Sequence, residues 1–223
     1  MSILSANDTD RLFWLGRYSE RVYTTTRLFS DSYDTMIDDI VDDYKEFCVR
    51  IDIPDIYQSS EEFIKKYCFS ADDPNSIYSN LMRAFDNAVT LRDVLTSEVL
   101  SYIQLAVYSM NQAASSDAPL VELQEICDDI LAFWGIVDDS IESEHVRNIV
   151  KVGKRVERVD LYGRLSMPRK ALLREIHRLQ GRILRTPLKY DAQMLADLEV
   201  LAEAKEIEYY SIVEKVNTFL LNA

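Results

Sequence analysis

The sequence predicts an all-α protein, a single helical bundle over residues 1–223 with an internal pseudo-repeat of one helix. Three observations point to it. Gly and Pro number five each in 223 residues, about 2% apiece where typical usage is about 7% and 5%, too few for the turns of a sandwich, barrel or Rossmann sheet. Apolar residues recur at helical spacing, and no segment alternates convincingly as a strand. One helical motif occurs twice, 137 residues apart.

Taken in order, Asn7 and Asp8 precede Leu12, Phe13, Leu15, Tyr18, Val22 and Phe29, so a long first helix starts near residue 8. Its pattern continues less cleanly through Tyr33, Met36, Ile37, Ile40, Val41 and Tyr44. Pro54 and Ser59-Ser60 punctuate a connection, and a short helix runs from Ser60 to near Cys68. Asp73-Pro74 reads as an N-cap carboxylate followed by proline in the first helical position. From there apolar residues recur from Ile77 to about Met110, and Gln112 to Pro119 reads as a loop. Further helices are expected over 119–141, 143–165, 168–185 and 191–220, with Pro168 and Pro187 as breaks.

The repeat is the most informative feature. Leu15-Gly16-Arg17-Tyr18-Ser19-Glu20-Arg21-Val22 with Arg27-Leu28 returns as Val152-Gly153-Lys154-Arg155-Val156-Glu157-Arg158-Val159 with Arg164-Leu165, at one offset and without a gap. Two copies exclude a solenoid, which needs at least three units, and suggest two helices in comparable environments about a local pseudo-two-fold. Glycine inside a helix costs about 1 kcal/mol relative to alanine, so Gly16 and Gly153 call for a packing reason: the two helices should meet there. Arg17, Glu20, Thr24 and Arg27 line one side of the first helix with Arg21 beside them; Lys154, Glu157, Leu161 and Arg164 match them in the second. The expectation is a cluster of Glu20 and Glu157 with Arg21, Arg27, Arg158 and Arg164. Such pairs are helix-stabilising when exposed and fix register when buried. As a site they would be candidate acid–base groups, Glu20 and Glu157, among ligand-binding guanidiniums.

Net charge is −13, which disfavours nucleic acid as the main partner. The imbalance is uneven. Arg147 to Lys189 holds thirteen Lys/Arg and three Asp/Glu, while Asp31 to Glu62 holds eleven acids against Lys45 and Arg50. In the helix over 168–185, Lys170, Arg174, Arg178, Arg182 and Arg185 form a basic face opposite Leu172, Ile176, Leu179 and Ile183. Either the acidic helix over 191–220, with Asp197, Glu199, Glu203, Glu206 and Glu208, covers that face, or the face docks an acidic protein or a phosphate-bearing substrate.

Cys48, Cys68 and Cys127 are an odd, widely spaced set that reads as reduced thiols in a cytoplasm. The N-terminus lacks the flank of a signal peptide. The longest apolar run, Ile130 to Val137, is far short of the roughly 20 residues that span a bilayer. A di-metal carboxylate bundle needs two Glu-x-x-His helices; Glu142-Ser-Glu-His145 supplies one spacing and the segment ending at His177 no second, so no metal is expected. No phosphate loop, nucleophile elbow or kinase signature occurs, so no cofactor is expected.

The block from Leu12 to Arg21 resembles the opening of the bacterial alpha-E domain, an all-helical domain with a conserved E-R motif. Asp73-Pro74-Asn75-Ser76-Ile77 resembles that family's N-P-x-S-[IV] helix start. Asn87-Ala88, Leu91-Arg92 and Thr96-Ser97-Glu98 are similar to a further family segment, and Glu157-Arg158-Val159-Asp160 to its second E-R motif. The motif positions carried over by this resemblance are Glu20, Arg21, Arg92, Glu98, Glu157, Arg158 and Asp160. Members are encoded beside, or fused to, ATP-grasp ligases and transglutaminase-like peptidases. The resemblance therefore implies a helical accessory protein of a peptide or amide ligase system, with an ATP-grasp ligase or transglutaminase-like protein as partner. An acid–base enzyme acting on an amide or amino acid through Glu20 and Glu157, and a structural module that forms homo-oligomers, are the alternatives.

Overall fold

The computed structural model describes residues 4–37, 43–116 and 119–221; Ile40 and Val41 of the expected first helix lie outside them. Among the described residues there are ten helices and no strand: α1 (Ala6–Ile37), α2 (Asp43–Ile51), α3 (Ser60–Phe69), α4 (Ile77–Thr90), α5 (Ser97–Ala113), α6 (Pro119–Ser140), α7 (Glu144–Arg164), α8 (Arg169–Ile183), α9 (Ala192–Glu203) and α10 (Tyr209–Thr218). The chain divides into two compact units, one of Met1–Arg17 with Ile141–Ala223, the other of Tyr18–Ser140.

In the first unit α7 packs against both α8 and α10, and α9 lies against α8 and α10. α7 begins where Ser143 Oγ accepts the Val146 N–H at 3.4 Å. It ends in a left-handed residue, Ser166, with φ of 48°. There Ser166 N–H reaches Gly163 O at 3.0 Å and Met167 N–H reaches Tyr162 O at 2.9 Å, the paired bonds that satisfy the last carbonyls of a helix. α8 buries the expected stripe of Leu172, Ile176, Leu179 and Ile183 completely.

The beginning of α1 crosses α7 at the two repeat glycines. A Cβ added at Gly16 would overlap the Val150 carbonyl oxygen and meet Lys154 N at 3.0 Å. One added at Gly153 would overlap the Phe13 carbonyl oxygen and meet Arg17 N at 3.1 Å. Phe13, Gly16 and Arg17 correspond to Val150, Gly153 and Lys154 at the 137-residue offset, so the contact exchanges into itself. That is a local pseudo-two-fold, built on backbones too close for any side chain between them. The matched positions also share burial: Leu12 and Ile149, Leu15 and Val152, and Val22 and Val159 are each wholly buried.

The second unit gathers α2 on α3, α3 on α4, α4 on α5, and α5 on α6. Its acidic stretch holds an aromatic core. Phe63 stacks on Tyr67 at 5.1 Å between ring centroids and on Tyr44 at 5.6 Å, while Phe47 meets Tyr67 edge-on at 5.3 Å. Such aromatic pairs add about 0.5–1.5 kcal/mol each beyond the area they bury. The three cysteines are free and buried. Burial pushes the Cys48 and Cys127 thiols up to about 12 and Cys68 well above its ordinary value.

Several boundaries differ from the sequence expectation; Tyr44, expected at the end of the first helix, lies in the separate helix α2. The run from Asp73 to Met110 is two helices, because Thr96 Oγ1 accepts the Val99 N–H and starts α5 afresh, with Thr96 and Ser140 hydroxyls 2.9 Å apart. Asp73 is not the N-cap of α4. Its carboxylate accepts the Asn75 N–H at 2.8 Å and the Tyr57 hydroxyl at 2.5 Å, and Ser76 caps the helix by accepting the Ser79 N–H at 2.9 Å. The 191–220 helix is α9 and α10, although residues 204–208 have good helical propensity. The break lets α10 return to α7, where Val213 packs over Gly163, and the carbonyls of Ala204 and Lys205 accept from Arg169. Of the expected loop from Gln112 to Pro119, Gln112 and Ala113 belong to α5 and Pro119 to α6.

The crossing makes a sharp prediction. Gly16→Ala or Gly153→Ala lowers stability by at least about 1–3 kcal/mol, the cost of overpacking, because the obstacle is backbone. Gly135→Ala in α6, where nothing lies within 4 Å of the added methyl, is neutral or stabilising by up to about 1 kcal/mol. Urea denaturation of the three variants measures the contrast; equal effects would show that the crossing glycines are not needed for close approach.

Candidate functional site

The repeat motif places four of its charged residues inside the protein. Arg17 is 7% exposed, Lys154 9%, and Glu20 and Glu157 both 0%. In the first unit Arg17 Nε donates to Glu157 Oε2 at 2.7 Å, and its Nη2 donates to Asn217 Oδ1 at 2.9 Å. Its guanidinium lies 5.0 Å from the centre of the Trp14 ring, so an aromatic face covers the cation. Asn217 Nδ2 donates in turn to Asp160 Oδ1 at 2.6 Å, and Arg164 Nε donates to Asp160 Oδ2 at 3.0 Å. A continuous polar chain thus joins α1, α7 and α10. It contains Arg17, Glu157, Asp160 and Arg164 of the expected set. Asn217, which links its two halves, carried no signal because α10 lies far away in sequence.

In the second unit Glu20 accepts the Thr24 hydroxyl at 3.1 Å. The Arg21 carbonyl accepts the Thr25 hydroxyl at 2.8 Å. Arg27 is exposed; its Nη1 donates to the Tyr23 hydroxyl at 3.2 Å and its guanidinium sits 5.7 Å from that ring. That hydrogen bond, with the nearby Asp31 carboxylate, raises the Arg27 pKa. Arg92 and Glu98 are exposed at the connection between α4 and α5. Backbone and hydroxyl donors at the start of α5 hold the Glu98 carboxyl below its usual range.

A second buried carboxylate escaped the sequence reading. Glu175 of α8 is completely buried. Arg155 Nη1 approaches its Oε2 at 2.6 Å, and Arg158 Nη1 approaches the same oxygen at 4.0 Å. Arg178 Nη1 and Arg174 Nε reach Oε1 at 2.8 and 3.4 Å. One carboxylate therefore anchors four guanidiniums from α7 and α8. Burial pushes the Glu175 carboxyl up, but the surrounding Arg155, Arg158 and Arg178 outweigh it and hold it below the usual range. Burial likewise pulls the Arg155 pKa down, against the pull of Glu175. The sequence did hold a signal: Glu175 lies three residues after Leu172 and four before Leu179, an acid on the apolar stripe of a basic helix.

Of the expected basic face, Arg174 and Arg178 lean on Glu175, Arg182 Nη1 donates to Asn148 Oδ1 at 3.0 Å, and Lys170 and Arg185 are exposed. The acidic residues of α9 engage other groups. Glu199 takes His177 Nε2 at 2.9 Å and Gln180 Nε2 at 3.1 Å, and Asp197 pairs with Lys215 of α10 at 2.9 Å. Among the described residues, no group of three or more His, Cys, Asp and Glu could hold a metal ion, and no helix is long and apolar enough to cross a membrane.

Replacing Glu175 by glutamine removes the counter-charge and keeps the volume. Breaking a buried ion pair in this way costs about 3–5 kcal/mol. Because folding lowers the Glu175 pKa from its ordinary 4.5, its contribution is full above that value and disappears as the pH falls through the lower folded-state value. The stability gap between wild type and Glu175→Gln therefore closes on acidification below about pH 4 and is flat from pH 6 to 8. Denaturant titrations across that range check this; a gap that persists at low pH would mean the carboxylate charge is not what holds the arginines.

No curated protein and no solved structure matches the chain. A family model named Alpha-E, described as a predicted alpha-helical domain with a conserved ER motif, matches residues 4–198. That span runs from the start of α1 into α9 and includes Glu20-Arg21 and Glu157-Arg158, whose glutamates lie wholly buried on α1 and α7. By this match over most of its length, with both E-R pairs in place on the two repeated helices, the chain belongs to the Alpha-E family.

Proposed function

We propose that the protein is a helical accessory component of an ATP-grasp peptide or amide ligase system and binds the ligase or its peptide product. The observation that carries a binding role over a catalytic one is the burial of the motif glutamates. Glu157 has no exposed surface and is held by Arg17 at 2.7 Å. A general acid or base has to come within hydrogen-bond reach of its substrate. An enclosed carboxylate bonded to a guanidinium instead fixes the register of two helices. A surface suited to a partner is the exposed basic side of α8 and the turn after it, where Lys170, Arg174 and Arg185 lie exposed. Such a surface raises the rate of encounter with an acidic partner and sets its orientation.

Co-expression with an ATP-grasp ligase of the same genome tests this. The expected result is co-elution at micromolar concentration, weakened at least tenfold by Lys170→Glu with Arg174→Glu. Glu157→Gln is expected to lower the melting temperature and leave the complex intact below it. Failure to co-elute, or ligase binding indifferent to the charge reversal, overturns the proposal. So does amide turnover by the isolated chain that vanishes in folded Glu157→Gln.

A further inference from the structure

An open, groove-like cavity of about 450 Å³ lies on the surface of the first unit, lined by Arg155, Arg178, Gly181, Arg182 and Arg185. The volume falls in the range of small-molecule sites, about 300–1,000 Å³. Its composition is unlike an ordinary surface dimple: four of the five lining residues are arginines and none is acidic. Glu175, buried beside Arg155 and Arg178, is already shared among four guanidiniums. The four lining arginines and Glu175 alone carry about +3 at neutral pH, because arginine stays protonated, and Arg158 and Arg174, which share the same carboxylate, add to it. Concentrating that much positive charge is self-repulsive and is relieved by an anion.

Three of the four arginines are also held in place, and Arg185 is exposed beside them. Arg155 and Arg178 are fixed by opposite oxygens of Glu175, at 2.6 and 2.8 Å. Arg182 is fixed by Asn148, whose own amide is oriented because Nδ2 donates to Glu144 O at 2.9 Å. Each guanidinium has five donors, and these bonds use one apiece. Arg155 Nε is buried and makes no hydrogen bond among the described residues, so the Arg155 side chain is held through Nη1 alone. Guanidiniums held at fixed positions suit the oxygens of phosphate, which they bind in a two-pronged fashion.

The geometry points to a binding site for a small anion bearing two linked phosphoryl groups, with Arg155, Arg178, Arg182 and Arg185 as its ligands. A diphosphate offers several negative charges to that excess, and its two phosphoryl groups give one for each pair of lining guanidiniums. Glu175 is the positioning residue that aims Arg155 and Arg178. No part of this depends on association with a ligase, because the site lies on the isolated chain.

The test is isothermal titration of the purified full chain with inorganic pyrophosphate at fixed ionic strength, with orthophosphate and succinate as comparison anions. The expected result is saturable binding of one pyrophosphate, at least tenfold tighter than orthophosphate and further above succinate, with a matching rise in melting temperature. Arg185→Gln, at an exposed position where folding is not at stake, weakens pyrophosphate at least tenfold, and Arg182→Gln does the same. Gly181→Leu, a bulky change where nothing lies within 4 Å of an added Cβ, blocks the cavity and abolishes binding without unfolding the chain. No saturable binding up to millimolar pyrophosphate overturns the inference. So do equal affinities for the three anions, or full affinity in Arg185→Gln and Gly181→Leu.

Discussion

The close crossing of α1 and α7 governs the first unit. At Gly16 and Gly153 each helix presents bare backbone to the carbonyl of the other, and the approach leaves no room for a methyl group. Helices packed through side chains sit about 8–10 Å apart; glycine at the contact removes that spacing and brings flanking residues into reach of the opposite helix. One turn away from Gly153, Glu157 then lies within 2.7 Å of Arg17, a residue 140 positions earlier. The ion pair follows from the glycines, because a wider separation would leave two desolvated charges without partners.

Desolvating such charges is costly, so the buried pair is weak evidence of net stability and stronger evidence of a fixed register. Sliding α1 along α7 by one residue would separate Arg17 from Glu157 and put side chains where the glycines lie. The polar chain continues through Asn217 to Asp160 and Arg164, so α10 is locked to the same register. α10 in turn covers Gly163 with Val213. The break between α9 and α10 therefore belongs with the crossing, as the bend that returns the last helix to α7.

α8 shows the complementary case. Its apolar stripe is buried as its periodicity requires, yet Glu175 sits on that stripe among arginines that outnumber it four to one. A buried carboxylate of this kind gathers guanidiniums that would otherwise disperse into solvent. The local excess of positive charge in an acidic protein is thus structural in origin. It leaves a cavity walled by cations beside a neutralised core, while α9 spends its acids on His177, Gln180 and Lys215.

The amino-acid sequence determined the helical class, the duplicated helix, the meeting of its glycines and the apolar stripe of α8. All of these rest on periodicity or on a glycine whose helical cost demands a neighbour, and both are local properties of the chain. Capping chemistry was legible only in part: Ser59 starts α3 as its position suggests, whereas Asp73 gave up its cap to Ser76 and took the hydroxyl of Tyr57. The division of 191–220 into α9 and α10, the role of Asn217, and the choice of Glu175 as hub of the basic cluster were decided by tertiary structure alone. Each depends on groups brought within 3 Å from distant parts of the chain, where the desolvation of a charge or the partner offered to a carbonyl outweighs the preference of any single segment.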